Sequence, residues 1–326
     1  MEKNIAKSKK YAYPITWQKL KAQASVQLVA ILGILFFLVF SYIPMLGIVI
    51  AFKNYQLAPG IMGIINSEWV GLKYFNEFFN DPMFWPVVKN TLLLSSLKII
   101  ISFPIPILLA IILNEVKNQK LKRFSQTVSY LPYFISWVVV SGMLFAFLNV
   151  QDGLLNQLLF FVGVIDQPIA FLSEPRYFRT ILVLSDVWKN AGWWTILFLA
   201  SIAGIDPTLH EAATVDGAGR IRRIWHITLP AMKGTTVVVL ILCLGNMLGG
   251  GLGGSNFEQS YLLGGSNNRM VYDVSVILQT YTLEMGLKAG RFSYAAAIGL
   301  LESLFSLILV YTSNYLAKRS SGTGLF

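Results

Sequence analysis

Glu211-Ala212-Ala213-Thr214-Val215-Asp216-Gly217, running on to Ile227-Thr228-Leu229-Pro230, is a polar, partly charged stretch between two long apolar runs. Crossing a membrane does not require it. Asp206-Pro207 just before it is a helix-start signal, an acid that can cap followed by proline at the first helical position. Leu209, Ala212, Ala213 and Val215 give the helix an apolar face, with small residues that let another surface approach, and Glu211 sits beside it. Gly217 permits a sharp turn. Arg220, Arg222 and Arg223 then face the membrane surface or an acidic partner. Two readings fit these residues alone: an interfacial linker helix with solvated, anchoring charges, or a segment that receives force from a partner.

The rest of the chain says what surrounds this stretch. Of 326 residues, 55% are hydrophobic and only 13% charged, against about 25% charged in a soluble domain. Mean hydropathy is +0.60. Such a chain is an integral membrane protein. Cys243 is the only cysteine, so neither an internal disulfide nor a zinc site of paired cysteines can form. His210 and His226 are the only histidines and both lie in or next to the opening stretch, which leaves no metal-binding or catalytic histidine cluster elsewhere. The net charge of +10 reads as membrane orientation rather than nucleic-acid binding, because basic residues gather in cytoplasmic loops.

The apolar runs predict an all-α membrane domain over residues 26–317 with six transmembrane helices, at about 26–52, 87–113, 124–150, 179–204, 230–249 and 292–317. A lysine-rich lead over residues 1–25 precedes them, with Trp17 at headgroup depth, and a basic tail over 318–326 follows. No small-residue cleavage site follows the first run, which reads as an uncleaved span. Pro44 is expected to kink the outer end of the first span, and the third is entered through Pro132. Residues 53–86, rich in Trp, Tyr and Phe, read as an ordered external cap. Segments 1–25, 116–123, 205–233 and 318–326 together hold 16 of the 26 basic residues. Both termini and the opening stretch are therefore expected in the cytoplasm.

The pattern Glu211-Ala212-Ala213, three residues, Gly217, nine residues, Ile227, one residue, Leu229-Pro230 resembles the signature of the membrane subunits of bacterial ATP-binding-cassette (ABC) importers. Val70-Gly71-Leu72-Lys73-Tyr74-Phe75, Asn90-Thr91-Leu92, Leu113-Asn114-Glu115, Tyr130-Leu131-Pro132, Phe257-Glu258-Gln259-Ser260-Tyr261 and Asn314-Tyr315 extend the resemblance to the carbohydrate-uptake, maltose-permease-like branch. Within it the chain is most similar to permeases of complex oligosaccharides and polysaccharide fragments. The resemblance implies the type I importer fold, a bacterial plasma-membrane location, and a coupling helix at about 207–217. That helix would sit in a cleft of a separate ATPase, with Glu211 making a polar contact and Gly217 turning the chain away; Asp216, Ile227, Leu229 and Pro230 complete the coupling set. The implied partners are a second homologous permease, two ATPase subunits, an extracytoplasmic sugar-binding protein and the lipid bilayer. The chain has no GxxxxGK[ST] phosphate loop. It is therefore not itself an enzyme and needs no cofactor of its own; ATP and magnesium would belong to the partner.

Gly249-Gly250-Gly251-Leu252-Gly253-Gly254 contains a literal G-x-G-x-x-G, but it follows a membrane span rather than a strand, so it reads as an external hinge or a site of close backbone contact. Candidate sugar-path residues are Trp188, Asn190, Trp193 and Trp194 in the fourth span, Asn246 ending the fifth, and Asn256, Glu258, Gln259 and Tyr261 beyond it. Aromatic faces would stack on sugar rings, and amides and carboxylates would bind hydroxyls. The tryptophans equally suit an interfacial belt. The resembled family often has Asp where this chain has Glu258. Lys98 fits either packing in the bundle or a cation on the pathway, and Glu302, inside the sixth span, needs a partner or the bundle interior. Two other classes stay open. An ion-driven secondary transporter would carry paired mid-membrane acids, of which only Glu302 is clearly so placed. A membrane-embedded glycosyl-transfer subunit would carry a carboxylate or histidine cluster at one face.

Overall fold

The computed structural model describes residues 23–56, 60–322 and 324–325. Of the expected lead over 1–25, only 23–25 are described; its lysines and Trp17 lie outside the described residues. Apart from one isolated antiparallel bridge between Lys53 and Trp69, the regular structure of the described residues is helical. The helices used below are α1 (Ala24–Phe52), α2 (Phe84–Glu115), α3 (Gln119–Tyr130), α4 (Trp137–Phe147), α5 (Pro175–Ala203), α6 (Pro207–Val215), α7 (Lys233–Gly245), α8 (Asn256–Leu263) and α9 (Phe292–Ser321).

The expected apolar runs become long helices, some with different geometry. α1, α2 and Phe292–Arg319 of α9 are each long and apolar enough to cross a membrane, and two bent pairs bring the number of candidate spans to five. α5 has 29 residues, about 43 Å at 1.5 Å per residue, but carries Arg176, Arg179, Asp186 and Lys189. α1 is apolar on all sides, and its side chains are almost all exposed in the single chain. Such a helix needs lipid or another subunit around it. Pro44 follows a π turn at Leu38–Tyr42. Proline lacks an N–H and crowds the carbonyl four residues back, and a widened turn accommodates both. Pro230 follows another such turn, at Ile224–Thr228.

The third span differs from the sequence expectation. Instead of one helix over 124–150, the helical segment Gln119–Phe134 meets α4 at 100°. Pro132 lies in a 3-10 turn, Ile135 is extended, and Ser136 opens α4 by accepting the Val139 N–H at 3.3 Å. α3 before the bend is amphipathic, with Leu121, Phe124 and Val128 exposed along one stripe. Asn118 caps it by accepting the Lys120 and Leu121 N–H groups. The fifth span is bent too, Arg220–Ala231 meeting α7 at 60°.

α5 is the central strut. It lies along α2 and crosses α3 so closely that a Cβ on Gly192 would overlap the Ser129 carbonyl oxygen. Thr195 donates to the carbonyl oxygens of Ala191 at 2.7 Å and Pro106 at 3.3 Å. The second of these ties α5 to the backbone of α2. Of residues 53–86, the described ones (53–56 and 60–86) hold a packed aromatic segment: Phe52, just before it, stacks on Trp69 at 5.6 Å, and Phe75 and Phe78 are buried. In this cap Asp81 accepts from the Tyr281 hydroxyl at 2.6 Å, from the Tyr294 hydroxyl and from the Met83 N–H at 2.8 Å. Burial pushes the Asp81 carboxyl up, but these donors and the Arg291 charge together hold it below its ordinary value.

Candidate functional site

α6 is built by local chemistry. The Asp206 side chain accepts the Thr208 N–H at 3.0 Å, and Pro207 takes the first helical position. That N–H holds the Asp206 carboxyl below its ordinary value. At the other end Gly217 has φ +72°. The Ala218 N–H reaches the Ala213 carbonyl at 2.8 Å and the Gly217 N–H the Thr214 carbonyl at 3.1 Å. This is a Schellman ending, which needs a residue at ease in the left-handed region. Arg223 then donates to the Thr214 hydroxyl at 2.8 Å, tying the returning basic arm to α6 as one unit.

This unit projects. Glu211, Ala212, Asp216 and Gly217 are exposed and Ala213 half-buried. Leu209, Val215, Ile221 and Trp225 form exposed apolar ground around them, Val215 at 89% exposure. Ile227 and Leu229 are half-buried and Pro230 is exposed, while Thr228 between them is buried. The structure thus brings Glu211 through Gly217 together on one projecting knuckle, and places Ile227, Leu229 and Pro230 at its root.

A second polar centre lies inside the helices. Lys98 of α2 is 3.7 Å from the Asp186 carboxylate of α5, both fully out of solvent. Lys98 also donates to Ser255 at 2.8 Å and to the Gln259 side-chain oxygen. Asp186 accepts from Ser102 at 3.0 Å, Asn190 at 2.9 Å and Ser255. Gln259 donates to the Leu182 carbonyl and the Ser185 hydroxyl, both at 2.9 Å, and Asn256 to Ser95 at 2.9 Å. The glycine run closes over this centre: a Cβ on Gly253 would press on Asn190 and lie 2.6 Å from Asp186 Oδ1. Close backbone contact is its role in the fold.

Three of the sugar-path candidates, Asn190, Asn256 and Gln259, are buried members of this network. The others lie apart. Trp188 lines an apolar cavity of about 680 Å³ with Val140, Met143, Phe147 and Leu184. Trp193 stacks on Tyr133 at 4.5 Å, and Trp194 packs against the Ala110–Phe198–Val239 core. Asn246 donates to the Gly251 carbonyl at 3.0 Å. Glu258 is exposed, and Tyr261 stacks on Phe257 at 5.6 Å. Glu302 accepts from Gln279 at 2.9 Å. What sequence reasoning missed was the pairing of Lys98 with Asp186. The available signal was Lys98 within the apolar run of α2 and Asp186 as the one anion of α5.

Residues 102–322 match the family model described as "Binding-protein-dependent transport system inner membrane component". The chain belongs to that family. It is a multi-pass inner-membrane permease component of an ABC importer, with ATP hydrolysis left to a separate subunit. It is 44% identical to Protein LplB of Bacillus subtilis (strain 168), over 96% of this chain and 94% of that protein. It is 46% identical to the polygalacturonan/rhamnogalacturonan transport system permease protein YteP of the same organism, over 94% and 92%. A solved bacterial ABC transporter that imports the acidic polysaccharide alginate contains a chain similar over 94% of this one and 99% of its own length, at 34% identity and a TM-score of 0.83. In a second structure, where a bacterial alginate transporter is bound to an alginate pentasaccharide-loaded periplasmic protein, the values are 95%, 99%, 35% and 0.84. The family match spans the knuckle and the Lys98 partners Asp186, Ser255 and Gln259, and begins just after Lys98 itself.

Proposed function

We propose that this permease carries oligosaccharides or polysaccharide fragments inward, and that α6 is the coupling helix through which a separate ATPase drives it. The observation that carries the coupling role is the knuckle: a capped helix closed by a left-handed glycine, with Glu211 unpartnered among the described residues and an apolar rim around it. A solvated linker gains nothing from exposing Leu209, Val215, Ile221 and Trp225, whereas several exposed apolar side chains beside an unpartnered charge suit a protein partner. The glycan cargo is supported by the permease relative for polygalacturonan and rhamnogalacturonan and by the alginate importer.

In this reading six spans cross the membrane, the bent pairs and α5 included, and both termini lie in the cytoplasm, as the distribution of basic residues requires. A second, similar permease completes the pathway and covers the apolar length of α1. Two ATPases bind ATP and magnesium below, and a sugar-loaded binding protein docks above. ATP and the loaded binding protein act by stabilising one of two packed arrangements over the other.

Uptake by the reconstituted importer separates this from ion-driven transport. Entry of a labelled oligosaccharide is expected to need ATP, the ATPases and the binding protein, and to persist when ionophores collapse ion gradients. Uptake that continues without ATP and stops with the gradients would sink the reading.

A further inference from the structure

The outer half of α2 faces a cavity of about 1060 Å³ that no coupling or packing role uses. Its size is at the upper end of ligand sites, which run from roughly 300 to 1,000 Å³. Trp85, Lys89, Asn90, Ser96, Arg179 and Asp273 contribute to its wall. Trp85 is 73% exposed. Lys89 makes no hydrogen bond or ion pair among the described residues. Arg179 gives one Nη2 bond to Asn90 at 2.8 Å, and its buried Nε has no hydrogen-bond partner. Asn90 is fully used, since its amide donates to the carbonyls of Asp273 at 2.7 Å and Val276 at 3.1 Å. Two cations without a counter-ion at hand therefore share a roomy cavity with one exposed carboxylate.

The cavity also leads somewhere. Trp85, Val88 and Leu92 line both it and a second cavity that reaches Leu248 and Glu302. Glu302 in turn lines a third, with Asn246, Ser303 and Ser306. These three cavities thus share lining residues in sequence, with polar groups mainly in the first and third. The cavity beside Trp188, like the second of these three, is almost wholly apolar.

The geometry points to the outer cavity as a binding site for an acidic sugar, a uronate unit of the transported glycan, with Arg179 and Lys89 taking its carboxylate. A half-buried guanidinium with free donors is the group best shaped for a carboxylate. The Trp85 face suits the apolar face of a sugar ring. Asp273 and Ser96 can take hydroxyls, and Asp273 would repel a more highly charged phosphate. This rests on the glycan-importer reading and adds the class of glycan and the residues that select it.

The test uses the whole importer in nanodiscs of neutral phosphatidylcholine. Binding of trigalacturonic acid is compared with binding of its methyl ester, which lacks the charges. The acid is expected to bind about tenfold more tightly than the ester, the worth of one good charge-assisted contact. Lys89→Gln and Arg179→Gln should each shrink that ratio, and Arg179→Lys should keep part of it. Lys89→Gln guards against misfolding, since Lys89 holds nothing in place. Absent acid binding, equal binding of acid and ester, or a ratio indifferent to both glutamine variants would overturn the site. So would acid binding that disappears when phosphatidylglycerol is added, which would assign the cations to lipid. ATP-driven uptake of a neutral oligosaccharide by the same importer reconstituted into sealed vesicles reports on the importer reading separately: if it persists while the acid preference is absent, only the uronate site falls.

Discussion

Lys98 and Asp186 lie fully buried on two different helices, and each is satisfied by more than the other. Lys98 has Ser255 and Gln259; Asp186 has Ser102, Asn190 and Ser255. Removing one partner leaves the other charge out of water without compensation, which typically costs about 3–5 kcal/mol, whereas replacing both by apolar groups is often neutral. Asp186→Ala is therefore expected to lower the melting temperature of the detergent-solubilised protein sharply, and Lys98→Met with Asp186→Leu to recover part of it, since Ser255 and Gln259 then lose partners. Fluorescence-detected size exclusion after heating reads both. A single variant as stable as the parent would mean that the pair is hydrated and not a tie between α2 and α5. Lys98 also shows where sequence reasoning stops. Its apolar surroundings are visible along the chain, but its partner sits on another helix, and no local pattern selects Asp186 over a route to the membrane surface.

At the scale of elements, what could be read in advance follows from whether the signal is local. The start and end of α6 were legible because Asp206, Pro207 and Gly217 act within a turn of themselves. The 100° bend before α4 was not, because the end of the amphipathic α3 runs directly into the apolar α4 and the two read together as one span. Pro132 and Ser136 were the local marks of it, and only their combination with the extended Ile135 gives the change of direction. The crossing of α5 over α3 depends on Gly192 in the same non-local way. Any Cβ there must push the two backbones apart, and overpacking of this kind costs about 1–3 kcal/mol. Gly192→Ala is expected to lower thermal stability and reduce yield, while Gly142→Ala, where a Cβ meets open space, leaves both unchanged. Equal behaviour of the two variants in the same heating assay would show that the crossing is looser than described.

For the whole molecule, a polar centre holds α2, α5 and α8 together, a knuckle exposes Glu211 and its neighbours, and three cavities share lining residues. α1 is apolar all round and exposed along most of its length, and the knuckle exposes Leu209, Val215, Ile221 and Trp225, surfaces that suit lipid or other subunits. The proposed coupling and sugar sites are separate: Glu211 lies on a different part of the chain from the cavity lined by Lys89 and Arg179. Glu211→Lys puts the wrong charge in the centre of the knuckle without touching any internal contact. ATP-driven uptake by the reconstituted importer, measured for this variant beside the parent at matched membrane insertion, tests the coupling role most directly. Uptake should be abolished while insertion and sugar binding persist, and normal uptake with Glu211→Lys would contradict it.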